Sequence, residues 1–290
     1  MGPQAKHVLP KISIITVCYN SMSGNYNVER TIKSVLGQNY KNLEYIVIDG
    51  LSKDNTLEII KKYSKTGFAN RKIAKWLSEK DLGMYDALNK GIKLASGDIL
   101  CCLNSDDFFY DSDVVSKIAQ VFTTSNSFDL IYADILKAIP SVKSKNNAFL
   151  LSSPEFSLGN LKKGIQIYHP AAFIAKKAIL DVGGFNLDYK SASDLDFFCK
   201  LAKNGVKSKY LPTISTVFLE GGISNEEKSH LEAISIVTKH FGFISSFPLY
   251  IKHYLVRVYW LILFVVQMDT SFKKVKLDNK FRQCDYQVSI

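Results

Sequence analysis

The pentapeptide Leu103-Asn104-Ser105-Asp106-Asp107 closes the apolar run that starts at Ile99 with an amide, a hydroxyl and two adjacent carboxylates. The run itself reads as a buried strand. Adjacent carboxylates repel one another and are costly to take out of water. A divalent cation relieves both costs, so acids at a strand end facing a crevice can hold Mg²⁺ or Mn²⁺ while the ion grips a diphosphate. The competing reading is a solvated turn whose aspartate caps the next helix. The pentapeptide alone leaves the two readings level.

The elements that must position these residues separate the readings. Ile12 to Val17 reads as a strand running into the polar Cys18-Tyr19-Asn20, and Val28 to Gly37 as a helix capped by Asn27. Leu43 to Asp49 is a second buried strand, followed by the turn Gly50-Leu51-Ser52-Lys53-Asp54 and a helix from Asn55. Lys72 to Leu77, Asp98 to Leu103 and Asp129 to Asp134 are further strands, and Met84 to Ala95 and Ser112 to Phe122 further helices. This repetition predicts an α/β fold, a parallel sheet with helices on both faces, whose ligands bind beyond the carboxyl ends of the strands. Asn20, Asp49 and the Asp106-Asp107 pair all fall at such ends.

The second half is less regular. Pro140 to Ala148 is a polar, Lys-rich loop, Ala171 to Ala175 a strand, and Asp194 to Lys203 a helix that starts at an acidic cluster. Two short strands, Ser208 to Leu211 and Thr213 to Leu219, lead into Gly221-Gly222, and Asn225 to Phe241 is helical. Phe247 to Met268 reads as an amphipathic helix, with Lys252, His253 and Arg257 opposite its apolar side and a Lys-rich tail behind it. That helix has three readings: an interfacial segment on anionic lipid, a face buried on the body, or a dimer seam.

The formal charge of +10, from 37 basic and 27 acidic residues, favours anionic partners. The basic residues are dispersed and no nucleic-acid-binding motif accompanies them, which argues against DNA or RNA. The five cysteines have no framework spacing and no zinc pattern. They read as reduced thiols of a cytoplasmic protein. No secretory signal and no stretch of about 20 uncharged apolar residues is present.

The chain resembles family 2 glycosyltransferases of the GT-A fold, of the kind that assemble bacterial polysaccharide, O-antigen or capsule, over roughly Pro10 to Ser224. The matching pieces stand in order: Ile14 to Asn20, Val47 to Thr56, Glu79 to Gly91, Ser96-Gly97-Asp98 before the acid motif, His169-Pro170, Gly183-Gly184-Phe185, Ser193-Asp194-Leu195-Asp196 and Gly221 to Ser224. The resemblance implies a Rossmann-like, mostly parallel sheet as catalytic domain over 10–224 and a C-terminal helical extension over 225–290. It also implies an inverting, metal-dependent hexosyl transfer from a nucleotide sugar, a UDP-sugar first, to a hydroxyl of a lipid-linked oligosaccharide or polysaccharide at the inner face of the cytoplasmic membrane. Three departures stand out: Asn104 where the metal motif often has Asp, Leu51 where Gly is common, and Ser193 before the catalytic acid.

On this resemblance Asp194 is the general base, against the alternative of a helix cap. Asp107 is the expected metal ligand, with Asp106 either a second ligand or a ribose or sugar contact. Thr16, Val17, Asn20 and Asp49 frame the base and ribose, with simple strand packing as the alternative for Thr16 and Val17. Asp81, Asn89 and Asn104 complete the donor set; Asp81 has a solvated loop carboxylate and Asn89 helix packing as its alternative. His169 touches the acceptor, the diphosphate or the metal, against the alternative of a satisfied structural residue, and Gly221 and Gly222 face the acceptor or diphosphate, against an ordinary turn. A nucleotide-dependent oxidoreductase is the second enzyme class; it needs a Gly-x-Gly-x-x-Gly turn after the first strand, which Cys18 to Gly24 lacks. A non-catalytic glycan- or nucleotide-binding scaffold is the third reading. Asn104 supports it and the retained acids oppose it.

Overall fold

The computed structural model describes residues 9–22, 27–124, 127–139, 147–219 and 226–267. The first half alternates as expected: β1 (Ile12–Cys18), α1 (Val28–Leu36), β2 (Leu43–Asp49), α2 (Thr56–Lys65), β3 (Lys75–Ser78), α3 (Met84–Leu94), β4 (Ile99–Cys102), the two-residue β5 (Phe108–Phe109) and α4 (Val114–Thr124). The second half holds β6 (Leu130–Ile139), β7 (Asn147–Leu151), α5 (Leu158–Leu161), a single 3-10 turn His169–Ala171, β8 (Ala172–Ala175), α6 (Lys176–Asp181), α7 (Ser193–Lys203), β9 (Ser208–Leu219), α8 (Glu226–Phe241) and α9 (Phe243–Gln267).

One nine-stranded sheet runs β3-β2-β1-β4-β8-β6-β9-β5, with β7 beside β6. Strands β3, β2, β1 and β4 are mutually parallel, so their carboxyl ends share one rim. The strand predicted over Asp129 to Asp134 does not extend that parallel set, because β8 intervenes and pairs antiparallel with both β4 and β6. The two short strands predicted before Gly221 are one, β9. Its register against β6 slips between Leu211 and Ile214, which puts Pro212 where no ladder donor is required.

Alternation along β1 sorts its side chains to opposite faces. Ile12 and Ile14 pack with α1 and α4, while Ile15 and Val17 pack with α3, α7 and α8. The approach of α3 to β1 requires Gly91, since a Cβ there would collide with Ile15. Ile236 and Val237 of α8 are fully buried in the same cluster as α7, so the helices after residue 225 begin as part of the core that packs on the sheet. The Lys-rich tail and most of the loop after Pro140 lie outside the described residues. Among the described residues no helix is long and apolar enough to cross a membrane.

Candidate active site

Parallel pairing sets Cys18 beside Asp49 and Asp49 beside Ser78 at the rim. Asp49 is fully buried and accepts from Ser78 Oγ at 2.6 Å and from Ser52 N and Oγ. It therefore holds the turn that follows β2. Leu51 takes φ 65° in that turn, a left-handed conformation that costs a branched side chain free energy, and its side chain is exposed. Asn20, also at positive φ, receives Lys53 N on Oδ1 at 2.8 Å and donates its own N–H to Ser52 Oγ at 2.8 Å. The turns after β1 and β2 are thus cross-linked. Asp81 packs against them: a Cβ on Gly50 would lie 2.5 Å from its Oδ2.

Thr16 and Val17 are buried in the core, and Thr16 Oγ1 accepts from Tyr45 at 3.1 Å, which leaves only their backbones facing the rim. Asn89 spends both ends of its amide on Phe185, donating to its carbonyl at 2.8 Å and accepting its N–H at 3.0 Å. It joins α3 to the Gly183-Gly184 turn. Gly221 and Gly222 lie outside the described residues.

The acid motif bends sharply after β4. Thr31 Oγ1 of α1 lies 2.8 Å from the carbonyl of Ser105 and 2.7 Å from that of Asp107, pinning the bend. Asp107 points inward. It is fully buried, with Asn104 Nδ2 donating to Oδ2 at 2.9 Å and Leu219 N to Oδ1 at 3.3 Å. Burial pushes its carboxyl well above the usual range, and the charge of Asp106 adds to the shift. Asp106 keeps part of its surface open. Burial raises it too, while Arg30 and His169 pull it back. Arg30 stands on α1 with its guanidinium 4.5 Å from the ring centre of Phe108.

Asp194 begins α7 beside this motif. Its Oδ2 accepts from Gln166 Nε2 at 3.0 Å and lies 3.6 Å from His169 Nδ1; its Oδ1 accepts from Tyr85 at 3.4 Å. Burial, and then the charge of Asp194, raise the Tyr85 hydroxyl and keep it a donor. The loop ahead of Asp194 is clasped from α8: Glu232 accepts the N–H groups of Lys190, Ser191 and Ala192 at 2.8 to 2.9 Å. Asp196, two residues on, is fully buried against His240 and Lys200 at 2.8 and 2.6 Å and is structural.

A cation at the rim would find Asp106 first, with Asp107 turned away behind it. Among the described residues no group of three or more His, Cys, Asp or Glu is arranged to hold a metal unaided. That donor set fits an ion that takes most of its ligands from a diphosphate and water rather than from a protein cage.

A mixed, largely parallel sheet with acids gathered at the carboxyl ends of its strands places a ligand site at that rim, and the fold matches GT-A glycosyltransferases. The profile of "Glycosyl transferase family 2" matches residues 13–183. An uncharacterized glycosyltransferase of Mycobacterium tuberculosis is 33% identical over 198 residues, 67% of this chain and 69% of that one. A PGL/p-HBAD biosynthesis glycosyltransferase of Mycobacterium bovis is 28% identical over 212 residues, 72% of this chain and 78% of that one. Among solved structures, S. aureus TarS with UDP-GlcNAc superposes with a TM-score of 0.61 at 20% identity, covering 79% of this chain and 66% of that one. This chain therefore spans just under two thirds of the TarS chain, and the likeness is one of fold. The chain belongs to glycosyl transferase family 2, and it is a glycosyltransferase.

Proposed function

We propose that the protein is an inverting transferase that moves a hexosyl group from a UDP-sugar to a hydroxyl of a lipid-linked oligosaccharide or polysaccharide during surface glycan assembly. The observation that carries this reading is that the acid motif after β4 and Asp194 stand at one place, with His169 3.3 Å from Asn104 of the motif and 3.6 Å from Asp194. The relative linked to PGL/p-HBAD biosynthesis supports a glycan acceptor, as does the chondroitin synthase of Pasteurella multocida, 29% identical over 208 residues, 72% of this chain and 20% of that one. The TarS complex with UDP-GlcNAc supports a UDP-sugar.

The backbone beyond Thr16 and Val17, with Asn20 and the Asp49-braced turn, receives the nucleoside. Asp106 would hold Mg²⁺ or Mn²⁺, which would offset charge on the departing diphosphate; the Mn²⁺ complex of a mannosyltransferase from Pyrobaculum calidifontis with this fold supports that choice. The acceptor hydroxyl attacks the anomeric carbon from the face opposite the diphosphate. Asp194 takes its proton, and the bond to the leaving diphosphate oxygen breaks as the new glycosidic bond forms. Tyr85 and Gln166 hold the carboxylate in place during that step. The positive surface and the apolar outer face of α9 bring the enzyme to the anionic inner face of the cytoplasmic membrane, where a lipid-linked acceptor resides.

Calorimetric titration of UDP, GDP and dTDP, each with and without Mn²⁺, tests the donor. Metal-dependent binding of UDP alone is expected. Folded protein that binds none of the three defeats the transferase reading of this site.

A further inference from the structure

Arg30 is a cation for which the described residues supply no partner anion. It stands in the first turn of α1, next to Thr31, whose hydroxyl pins the carbonyls of Ser105 and Asp107. Its guanidinium lies over the ring of Phe108, just past Asp106 in the chain. Asp106 and Asp107 are near enough to act on its charge, yet neither forms an ion pair with it. Its Nε is buried without an acceptor. Nη1 and Nη2 also lack one among the described residues, and they reach the surface of this half-buried side chain. Stacking on a ring attracts the charge but satisfies none of the guanidinium N–H donors.

A fixed positive charge beside Asp106 repels a metal ion at that carboxylate. Asn104 is neutral and Asp107 is turned inward, so Asp106 faces that charge without help from the rest of the motif. A metal and a guanidinium share one rim favourably when the ligand between them carries more than one negative charge. A diphosphate does, and the planar fork of an arginine fits two phosphate oxygens side by side. We infer that Arg30 is a diphosphate ligand: through Nη1 and Nη2 it takes part of the charge of the departing nucleoside diphosphate, so that the site keeps part of its affinity without a divalent ion. The inference rests on the reading of this rim as a nucleotide-sugar site.

The test is calorimetry of UDP with the full chain, in Mn²⁺ and in EDTA, with uridine followed by ligand-observed NMR in EDTA. In EDTA no effect can pass through a metal at Asp106. The wild type should bind UDP in both conditions, more tightly with Mn²⁺. Arg30→Met should weaken UDP at least about tenfold in EDTA while uridine stays within about twofold. Arg30→Lys keeps the charge without the fork and should fall between the two; it carries the test should Arg30→Met not fold. Lys177→Met removes a charge on α6 that is paired with Asp181, and should leave UDP binding unchanged, which separates a contact from an effect of net charge. Wild-type binding of UDP with Mn²⁺ alone overturns the role of Arg30. So does UDP affinity unchanged in whichever Arg30 variants fold, or a loss of uridine equal to the loss of UDP. Folded wild type that binds neither UDP nor uridine, with or without Mn²⁺, defeats the nucleotide reading instead.

Discussion

Two aspartates with the same chemistry carry opposite tasks at this rim because of their surroundings. Asp107 is enclosed by an amide and a backbone N–H and pushed toward its neutral form, so it braces the bend. Asp106 keeps part of its surface open, and although burial raises its carboxyl, Arg30 and His169 oppose that shift; in the proposed mechanism it is the carboxylate that meets a cation. The expectation that Asp107 is the main ligand gives way to Asp106 in the proposed mechanism for that reason. At Asp194, replacement by Asn keeps the shape and removes the proton acceptor. Asp194→Asn should lower transfer by about 10² to 10⁴-fold while UDP affinity stays within about twofold, read by turnover and calorimetry on one preparation; normal turnover removes Asp194 as the base. The acids were legible in the sequence because carboxylates at the ends of apolar runs break the pattern around them. Gln166, Tyr85 and Arg30 were not, because their role depends on partners far away in the chain. His169 is 65 residues from Asn104, and no local spacing records that contact.

Among the elements, β2 carries a buried charge that adds to the ladders holding it to its neighbours. Glu44 is almost fully buried and accepts from Ser13 Oγ at 2.6 Å and from Ser96 N and Oγ at 2.7 Å, with Lys75 at 3.0 Å. Burial raises its carboxyl, but these hydrogen bonds outweigh burial and bring it to about 2. A folded-state value below the unfolded one means that the contribution is complete above about pH 4.5 and is lost as the pH falls toward about 2. The shift corresponds to about 3 kcal/mol. Urea midpoints of wild type and Glu44→Gln should differ most at neutral pH and converge in acid; a pH-independent gap rules out this assignment. The long elements were readable from their periodicity and caps, as with Asn27, whose Oδ1 faces Arg30 N at 3.3 Å before α1. The elements missed were β5, β7, α5 and α6, whose two to six residues are too few for a period to appear. The break read at Pro212 was a bulge, which only the partner strand reveals.

At the scale of the whole molecule, α9 divides its two faces between the body and the outside. Ser246 and His253 are buried, while Phe243, Ile244, Phe247, Tyr254 and Leu255 are exposed on the same helix, Ile244 at 90%. The full chain should sediment with vesicles containing phosphatidylglycerol and not with phosphatidylcholine alone. Phe247→Glu should weaken that partition at least about tenfold, the equivalent of about 1.4 kcal/mol. Vesicles left unbound by a chain that sediments as a dimer would assign this face to a second copy instead.

The clasp of Glu232 on Lys190, Ser191 and Ala192 has a temporal consequence. The family profile ends at Gly183, before α7, and the residue that completes the backbone around the base comes from α8. On the ribosome the segment leading into Asp194 lacks its carboxylate partner, and β1 part of its core, until α8 has emerged. On the reading of Asp194 as the base, competence for transfer would therefore be acquired late in synthesis, when the chain through α8 is out.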